Sequence, residues 1–162
     1  MTLAASAPLW LAILVGLMFV AAGLEDMWRL EIEDWLSGGV AVAAFVAVAV
    51  NGPIVGLWQN LLLFALVLGG GMLLFQRGAM GGGDIKLLAA SALWFDLSLG
   101  WKMLVAVAIA GGLETLAIMA LRLAPWPDAA RTHIAALRRG EEIPYGVAIG
   151  AGVALVTCWV RG

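Results

Sequence analysis

The chain has 162 residues, of which 64% are hydrophobic and only 12% are charged. Soluble domains carry about 25% charged residues, so this composition excludes a soluble fold with a polar surface. The net charge of −2 does not favour a nucleic-acid partner. The apolar composition makes a lipid bilayer the expected surroundings. We expect a single membrane domain over residues 1–162.

The first predicted element is a transmembrane helix over residues 1–24, a stretch that contains no charge. A cleaved signal peptide begins with basic residues, whereas the first basic residue here is Arg29. We therefore expect the helix to be retained. A polar first loop of ten residues is predicted from Glu25 to Asp34.

A long uncharged stretch follows, over residues 36–76, and it exceeds the length of one membrane span. The segment Asn51-Gly52-Pro53 interrupts it with strong turn chemistry. This pattern predicts a second helix over residues 35–50 and a third over residues 54–75.

The remaining helices are separated by glycine-rich and proline-containing segments. A short fourth helix is predicted over residues 84–95. Asp96-Leu97-Ser98 then offers a turn and an N-cap, and a fifth helix is predicted to run from there to Leu121. A sixth is predicted over residues 144–160, where Pro144 suits a first helical turn. The predicted fold is all-α, with six transmembrane helices.

The basic residues predict how these helices are oriented. Seven of the nine lie in or beside the first, third and fifth loops: Arg29, Arg77, Lys86, Arg122, Arg131, Arg138 and Arg139. These loops are therefore expected at the cytoplasmic face of the inner membrane, with both termini on the other side.

Metal and disulfide chemistry are not expected. Cys158 is the only cysteine and His133 the only histidine. The sequence therefore predicts neither an internal disulfide nor a zinc site, and no metal or other cofactor is expected.

Two carboxylates stand at the cytoplasmic ends of predicted helices, Asp26 after the first and Asp84 at the start of the fourth. Carboxylates at membrane depth are energetically expensive and by default indicate function. The glycines before Asp84 lack side chains, so another backbone could approach closely, as an extended peptidase substrate must. Taken alone, this segment fits equally well a flexible loop before a carboxylate at a helix N-terminus.

The segment from Asp26 to Leu36 resembles the first-loop signature of the type IV prepilin (leader) peptidases. In that family an aspartate is followed by basic residues and an Ile-Pro-Asn-type segment. Ile32 falls at the matching position, whereas Glu33 stands where proline is usual and Asp34 where asparagine is usual.

Two further segments resemble motifs of the same family in the same order. Residues 81–86 resemble its GxGDxK motif, and Pro144-Tyr145-Gly146 resembles its C-terminal proline-tyrosine-glycine segment. The resemblance implies the architecture of a GxGD-type membrane aspartyl protease, with Asp26 and Asp84 as the catalytic pair. Two carboxylates held close share a proton, so one can activate water while the other protonates the scissile carbonyl oxygen.

The resemblance also implies a substrate, a prepilin whose short basic leader is removed at the cytoplasmic face. We expect these residues to bind it: Gly81, Gly82, Gly83, Lys86, Glu31, Glu33, Asp34, Pro144, Tyr145 and Gly146. The acidic residues complement a basic leader, although a solvated acidic loop would look the same. Lys86 also fits a side chain that extends from the bilayer to the interface.

Larger members of that family carry a cysteine-rich loop and also methylate the new N-terminus. This chain lacks those cysteines and resembles the short, peptidase-only members that serve Flp (Tad) pili.

Two other classes of function stay open. A transporter or channel could use Asp26, Asp84 and Glu114 as an ion path. Glu114 could otherwise pair with a hydroxyl or amide of another helix, or tune the proposed site. A non-catalytic pilus-assembly component would tolerate Asp84→Asn. The oligomeric state is not determined by the sequence.

Overall fold

The computed structural model describes residues 2–52, 56–126, 133–138 and 143–162. Within these ranges the regular structure is helical and contains no β-strand, which confirms the all-α prediction. Arg131 and Arg139, two of the basic residues used to orient the chain, lie outside the described residues, as does the predicted start of the third helix.

The described chain contains seven α-helices and one short 3₁₀ helix. They are α1 (Leu3–Ser6), α2 (Leu9–Arg29), α3 (Asp34–Asn51), α4 (Leu57–Gln76), α5 (Gly82–Ala92), α6 (Leu97–Leu123), the 3₁₀ helix (Ala135–Leu137) and α7 (Gly146–Arg161).

Four of these helices, α2, α3, α4 and α6, are long and apolar enough to cross a membrane. The protein is therefore a membrane protein. The apolar helix α7 has 16 residues and α5 has 11, both short of the ~20 that a bilayer core requires. The count of six spans stays a prediction.

The first predicted helix is divided in two, which corrects the prediction of one helix over residues 1–24. Helix α1 ends at Ser6, Ala7 is extended with ψ 141°, and α2 begins at Leu9. Pro8 explains the break, because proline lacks an N–H and disfavours helical backbone in the residue before it. The four-residue α1 is buried inside the bundle, with Leu3 and Ala4 almost inaccessible.

The predicted ten-residue first loop is also wrong, because α2 continues through Arg29. The loop is only residues 30–33. Polar residues do not by themselves end a helix, and the segment from Glu25 to Arg29 contains neither glycine nor proline. Helix α2 ends at Arg29, and the next residue, Leu30, adopts left-handed backbone with φ 56°. Asp26 thus belongs to the last turn of a helix and not to a loop.

Helix α5 is anchored at its far end, inside the bundle. The Asn60 side chain on α4 donates to the carbonyl of Leu93 at 2.8 Å, and the N–H of Ala4 donates to the carbonyl of Trp94 at 3.0 Å. The Trp94 indole donates to the carbonyl of Val40 on α3. The last carbonyls of a helix have no partner within it. The bonds from Asn60 and Ala4 supply partners for the Leu93 and Trp94 carbonyls at this end of α5.

Helix α7 packs between α2 and α6, and glycines permit the close approach. A Cβ at Gly152 would lie 2.6 Å from the backbone N of Val107 on α6. A Cβ at Gly23 on α2 would lie 3.0 Å from the Val147 side chain. Such small residues let helix backbones approach in membranes, where packing rather than the hydrophobic effect drives association.

Gly152→Ala is therefore expected to destabilise the protein by about 1–3 kcal/mol, because the added methyl group meets backbone atoms that cannot rotate away. Thermal unfolding in detergent measures the effect. Gly112→Ala on α6 is the matched control, since a Cβ there has nothing within 4 Å. Equal unfolding temperatures for the two variants would contradict the close packing of α6 and α7.

Candidate active site

Asp26 and Asp84 face the same cavity, although 58 residues separate them in the sequence. Asp26 lies in the last turn of α2 and Asp84 in the first turn of α5, with side chains 4% and 8% exposed. The cavity has a volume of about 510 Å³. Its lining consists of Asp26, Leu30, Glu31, Ile32, Glu33, Asp34, Phe75, Gly78, Met80, Gly81, Gly82, Gly83, Asp84 and Ile143.

Asp26 is held by the start of α7. The backbone N–H of Gly146, the first residue of that helix, donates to Oδ2 of Asp26 at 2.6 Å. The first N–H groups of a helix have no partner within it, so this carboxylate caps α7 and is oriented by it. A Cβ at Gly146 would lie 3.1 Å from both Cβ and Oδ2 of Asp26, so glycine permits the contact.

Asp84 is the third residue of α5, and the glycines before it bring the first loop close. A Cβ at Gly83 would lie 3.1 Å from the carbonyl oxygen of Ile32, and a Cβ at Gly81 would lie 2.9 Å from Oδ2 of Asp84. The sequence interpretation expected these glycines to admit another backbone. In the described structure, the backbone beside Gly83 is that of the first loop.

The acidic rim of the cavity consists of Glu31, Glu33 and Asp34, of which Glu33 and Asp34 form ion pairs with nearby cations. Nζ of Lys86 lies 2.6 Å from Oδ1 of Asp34, and Nη1 of Arg29 lies 3.3 Å from Oε1 of Glu33. The Trp35 indole also donates to Glu33 at 2.6 Å. These pairs are exposed, so each contributes only about 0.2–1 kcal/mol.

The predicted substrate-binding residues fall into two groups. Gly81, Gly82, Gly83, Glu31, Glu33 and Asp34 line the cavity, and Lys86 reaches its rim through Asp34. The other three, Pro144, Tyr145 and Gly146, do not line the cavity and lie at the start of α7 next to Asp26. Pro144 is fully buried, the Tyr145 ring packs on Gly111 of α6, and Gly146 binds the carboxylate.

The sequence interpretation did not identify the apolar part of the lining, which comes from Leu30, Phe75, Met80 and Ile143. The only signal for them was their position beside the motifs. Within the described residues, no group of three or more His, Cys, Asp and Glu side chains could hold a metal ion. The cavity therefore offers two buried carboxylates beside apolar side chains and an acidic rim.

A family model described as the type IV leader peptidase family matches residues 12–121 of the chain. The matched range contains both aspartates and the glycine segment, and it ends before α7. No curated protein and no solved structure gave a significant match.

Proposed function

The chain belongs to the type IV leader peptidase family, and from this premise we propose that Asp26 and Asp84 are its catalytic pair. Membership indicates an aspartic-type leader peptidase in a membrane, with a prepilin as substrate. We further propose that residues 1–162 act as one peptidase domain. It would remove the short basic leader of Flp-type prepilins at the cytoplasmic face of the inner membrane, without methylating the product.

The observation that carries the proposal is the convergence of two buried aspartates on one cavity from different helices. An ion path, the transporter alternative, would need polar groups through the bundle. Most buried side chains in the described core are apolar, such as Leu3 and Phe95, and the buried polar residues Ser37, Asn60 and Ser91 are uncharged. Among the buried described residues, the carboxylates are Asp26 and Asp84, and both face the cavity, which favours hydrolysis there over transport through the protein.

The proposed reaction needs only the two carboxyl groups and water. The carboxylate of one aspartate takes a proton from water, which attacks the scissile carbonyl, while the other carboxylic acid donates a proton to the carbonyl oxygen. As the C–N bond of the tetrahedral intermediate breaks, the proton taken from water passes to the leaving amine. A hydroxyl of the intermediate returns a proton to the second aspartate, so the pair regains its starting state. The bond from Gly146 would orient the Asp26 carboxyl group throughout.

The single most informative experiment is co-expression with candidate Flp prepilins, followed by a gel-mobility assay and mass spectrometry of the new N-terminus. We expect a shortened, unmethylated product. Absence of cleavage with every such substrate would refute the prepilin assignment, and a methylated N-terminus would refute the peptidase-only assignment.

Reporter fusions test the proposed membrane face. A reporter active only in the cytoplasm is expected to function when fused after Arg139 and to be inactive when fused after Asn51. The reason is that seven of the nine basic residues lie on the side of the first, third and fifth loops. The reverse pattern would place the aspartates on the wrong face for leader removal.

The acidic rim is proposed to bind the basic leader. Changing Glu31, Glu33 and Asp34 together to Ser should raise KM by roughly three- to 150-fold and leave kcat largely unchanged, because each exposed pair is worth about 0.2–1 kcal/mol. The effect should decrease as salt is added, since exposed charges are screened.

Two controls separate leader binding from folding. The first is a substrate whose leader lysines and arginines are changed to glutamine, on which the triple variant and the parent should perform alike. The second is Glu31→Gln, Glu33→Gln and Asp34→Asn combined, which removes charge but keeps shape and should reproduce the rise in KM. An equal loss on both substrates would show that the rim does not recognise leader charge.

A further inference from the structure

Glu114 lies on α6, within the membrane-crossing part of the chain, and its side chain contacts α7. Its Oε2 accepts a hydrogen bond from the backbone N–H of Ala148 at 2.9 Å. We propose that Glu114 is a positioning residue, which holds the first turn of α7 so that the N–H of Gly146 stays aligned with Asp26. This inference rests on the proposed function for its effect on catalysis.

The first turn of α7 lacks an ordinary side-chain cap. The residue before it, Tyr145, makes no side-chain hydrogen bond to the helix. Two carboxylates from neighbouring helices bind the N–H groups instead, Asp26 that of Gly146 and Glu114 that of Ala148. Gly146 and Ala148 are buried, and unpartnered N–H groups at a buried helix start are costly, so both contacts help to define where α7 begins.

Helix α6 thus holds the start of α7 at two places one helical turn apart. At Gly111, a Cβ would lie 2.6 Å from Cε1 of Tyr145, so the ring rests directly on the α6 backbone. At Glu114, the carboxylate binds Ala148. On its other side, α7 meets α2 through Asp26. The proline-tyrosine-glycine segment therefore lies in a three-helix junction whose α2 member carries a proposed catalytic group.

Loss of the hydrogen bond between Glu114 and Ala148 should also change the orientation of Asp26, because α7 connects the two contacts. Gly146 and Ala148 belong to the same helical turn, so a shift that gives Ala148 a new partner also displaces the N–H that orients Asp26. Misplacement of a catalytic group by about 1 Å can cost about a hundredfold in rate. The expected loss therefore lies in kcat, while substrate binding at the rim of the cavity is unaffected.

The test compares Glu114→Gln with Glu114→Leu. Gln retains an acceptor oxygen for Ala148, so its kcat should stay within about threefold of the parent. Leu has no acceptor, so its kcat should fall about ten- to a hundredfold with KM unchanged. Met103→Ala is the matched control, because it opens a cavity in the same helix and lowers stability, yet should leave kcat within about twofold.

Amide hydrogen exchange gives a readout that does not depend on activity. Glu114→Leu should speed exchange at Gly146 and Ala148, whereas Glu114→Gln and Met103→Ala should not. Failure of the parent protein to cleave any prepilin would refute the proposed function, and exchange would still test the contact. The positioning role is overturned if Glu114→Leu keeps full kcat, if Glu114→Gln loses as much as Glu114→Leu, or if exchange in the first turn is unchanged.

Discussion

Asp26→Asn and Asp84→Asn are each expected to lower leader cleavage by at least about a hundredfold. An amide can neither take a proton from water nor donate one as a carboxylic acid does, so the pair loses one of its two roles. Membrane insertion and accumulation should be unaffected. In Asp26→Asn the amide oxygen can still accept the N–H of Gly146, so the start of α7 keeps its partner.

The matched control is Asp96→Asn, an identical chemical change outside the cavity. Oδ1 of Asp96 caps α6 by accepting the N–H of Leu99 at 3.0 Å, and asparagine caps helices about as well. Its cleavage rate should equal that of the parent. Cleavage at the parental rate by either cavity variant would exclude the two-aspartate assignment. Activity lost equally in all three would indicate a general effect on folding.

The second large effect is expected for Gly146→Val, which should lower kcat by about a hundredfold. A Cβ at this position already lies 3.1 Å from Oδ2 of Asp26 and 3.3 Å from the carbonyl oxygen of Ala22. The two methyl groups of valine therefore push α7 away from α2, and the hydrogen bond that orients Asp26 is lost. Gly146→Ala should have an intermediate kcat, because shifts of a few tenths of an ångström relieve the contact between its single methyl group and Asp26.

The comparison requires a glycine of a neighbouring helix that tolerates valine. Gly112 on α6 meets this need, since it is exposed and a Cβ there has nothing within 4 Å. Gly112→Val should keep the parental kcat, which is measured beside KM on the same prepilin. Parental kcat in Gly146→Val would show that the bond to Asp26 has no part in catalysis.

The helical architecture could be predicted because its signals are local. Runs of apolar residues predicted the long helices, and Asn51-Gly52-Pro53 predicted the break after the second of them. In the structure α3 ends at Asn51, and Gly52 follows with φ 81°. The division at Pro8 also had a local signal, which the uniform hydrophobicity of residues 1–24 obscured.

The contacts around the cavity could not be predicted, because they join residues that are remote in sequence. The bond from Gly146 to Asp26 spans 120 positions, and the pair of Lys86 with Asp34 spans 52. Resemblance identified these segments separately but did not indicate which atoms meet. The left-handed ending of α2 at Leu30 was equally hidden, since leucine rarely adopts that conformation.

Helix α5 ends inside the bundle, where α1 begins, and this arrangement has a consequence for the lipid around the protein. With 11 residues, α5 covers only about 16 Å of a hydrocarbon core about 30 Å thick. The residues just beyond it, Leu93, Trp94 and Phe95, are buried, and the Ala4 N–H donates to the Trp94 carbonyl at 3.0 Å. Protein therefore fills the depth that α5 leaves uncovered, and lipid is excluded from it.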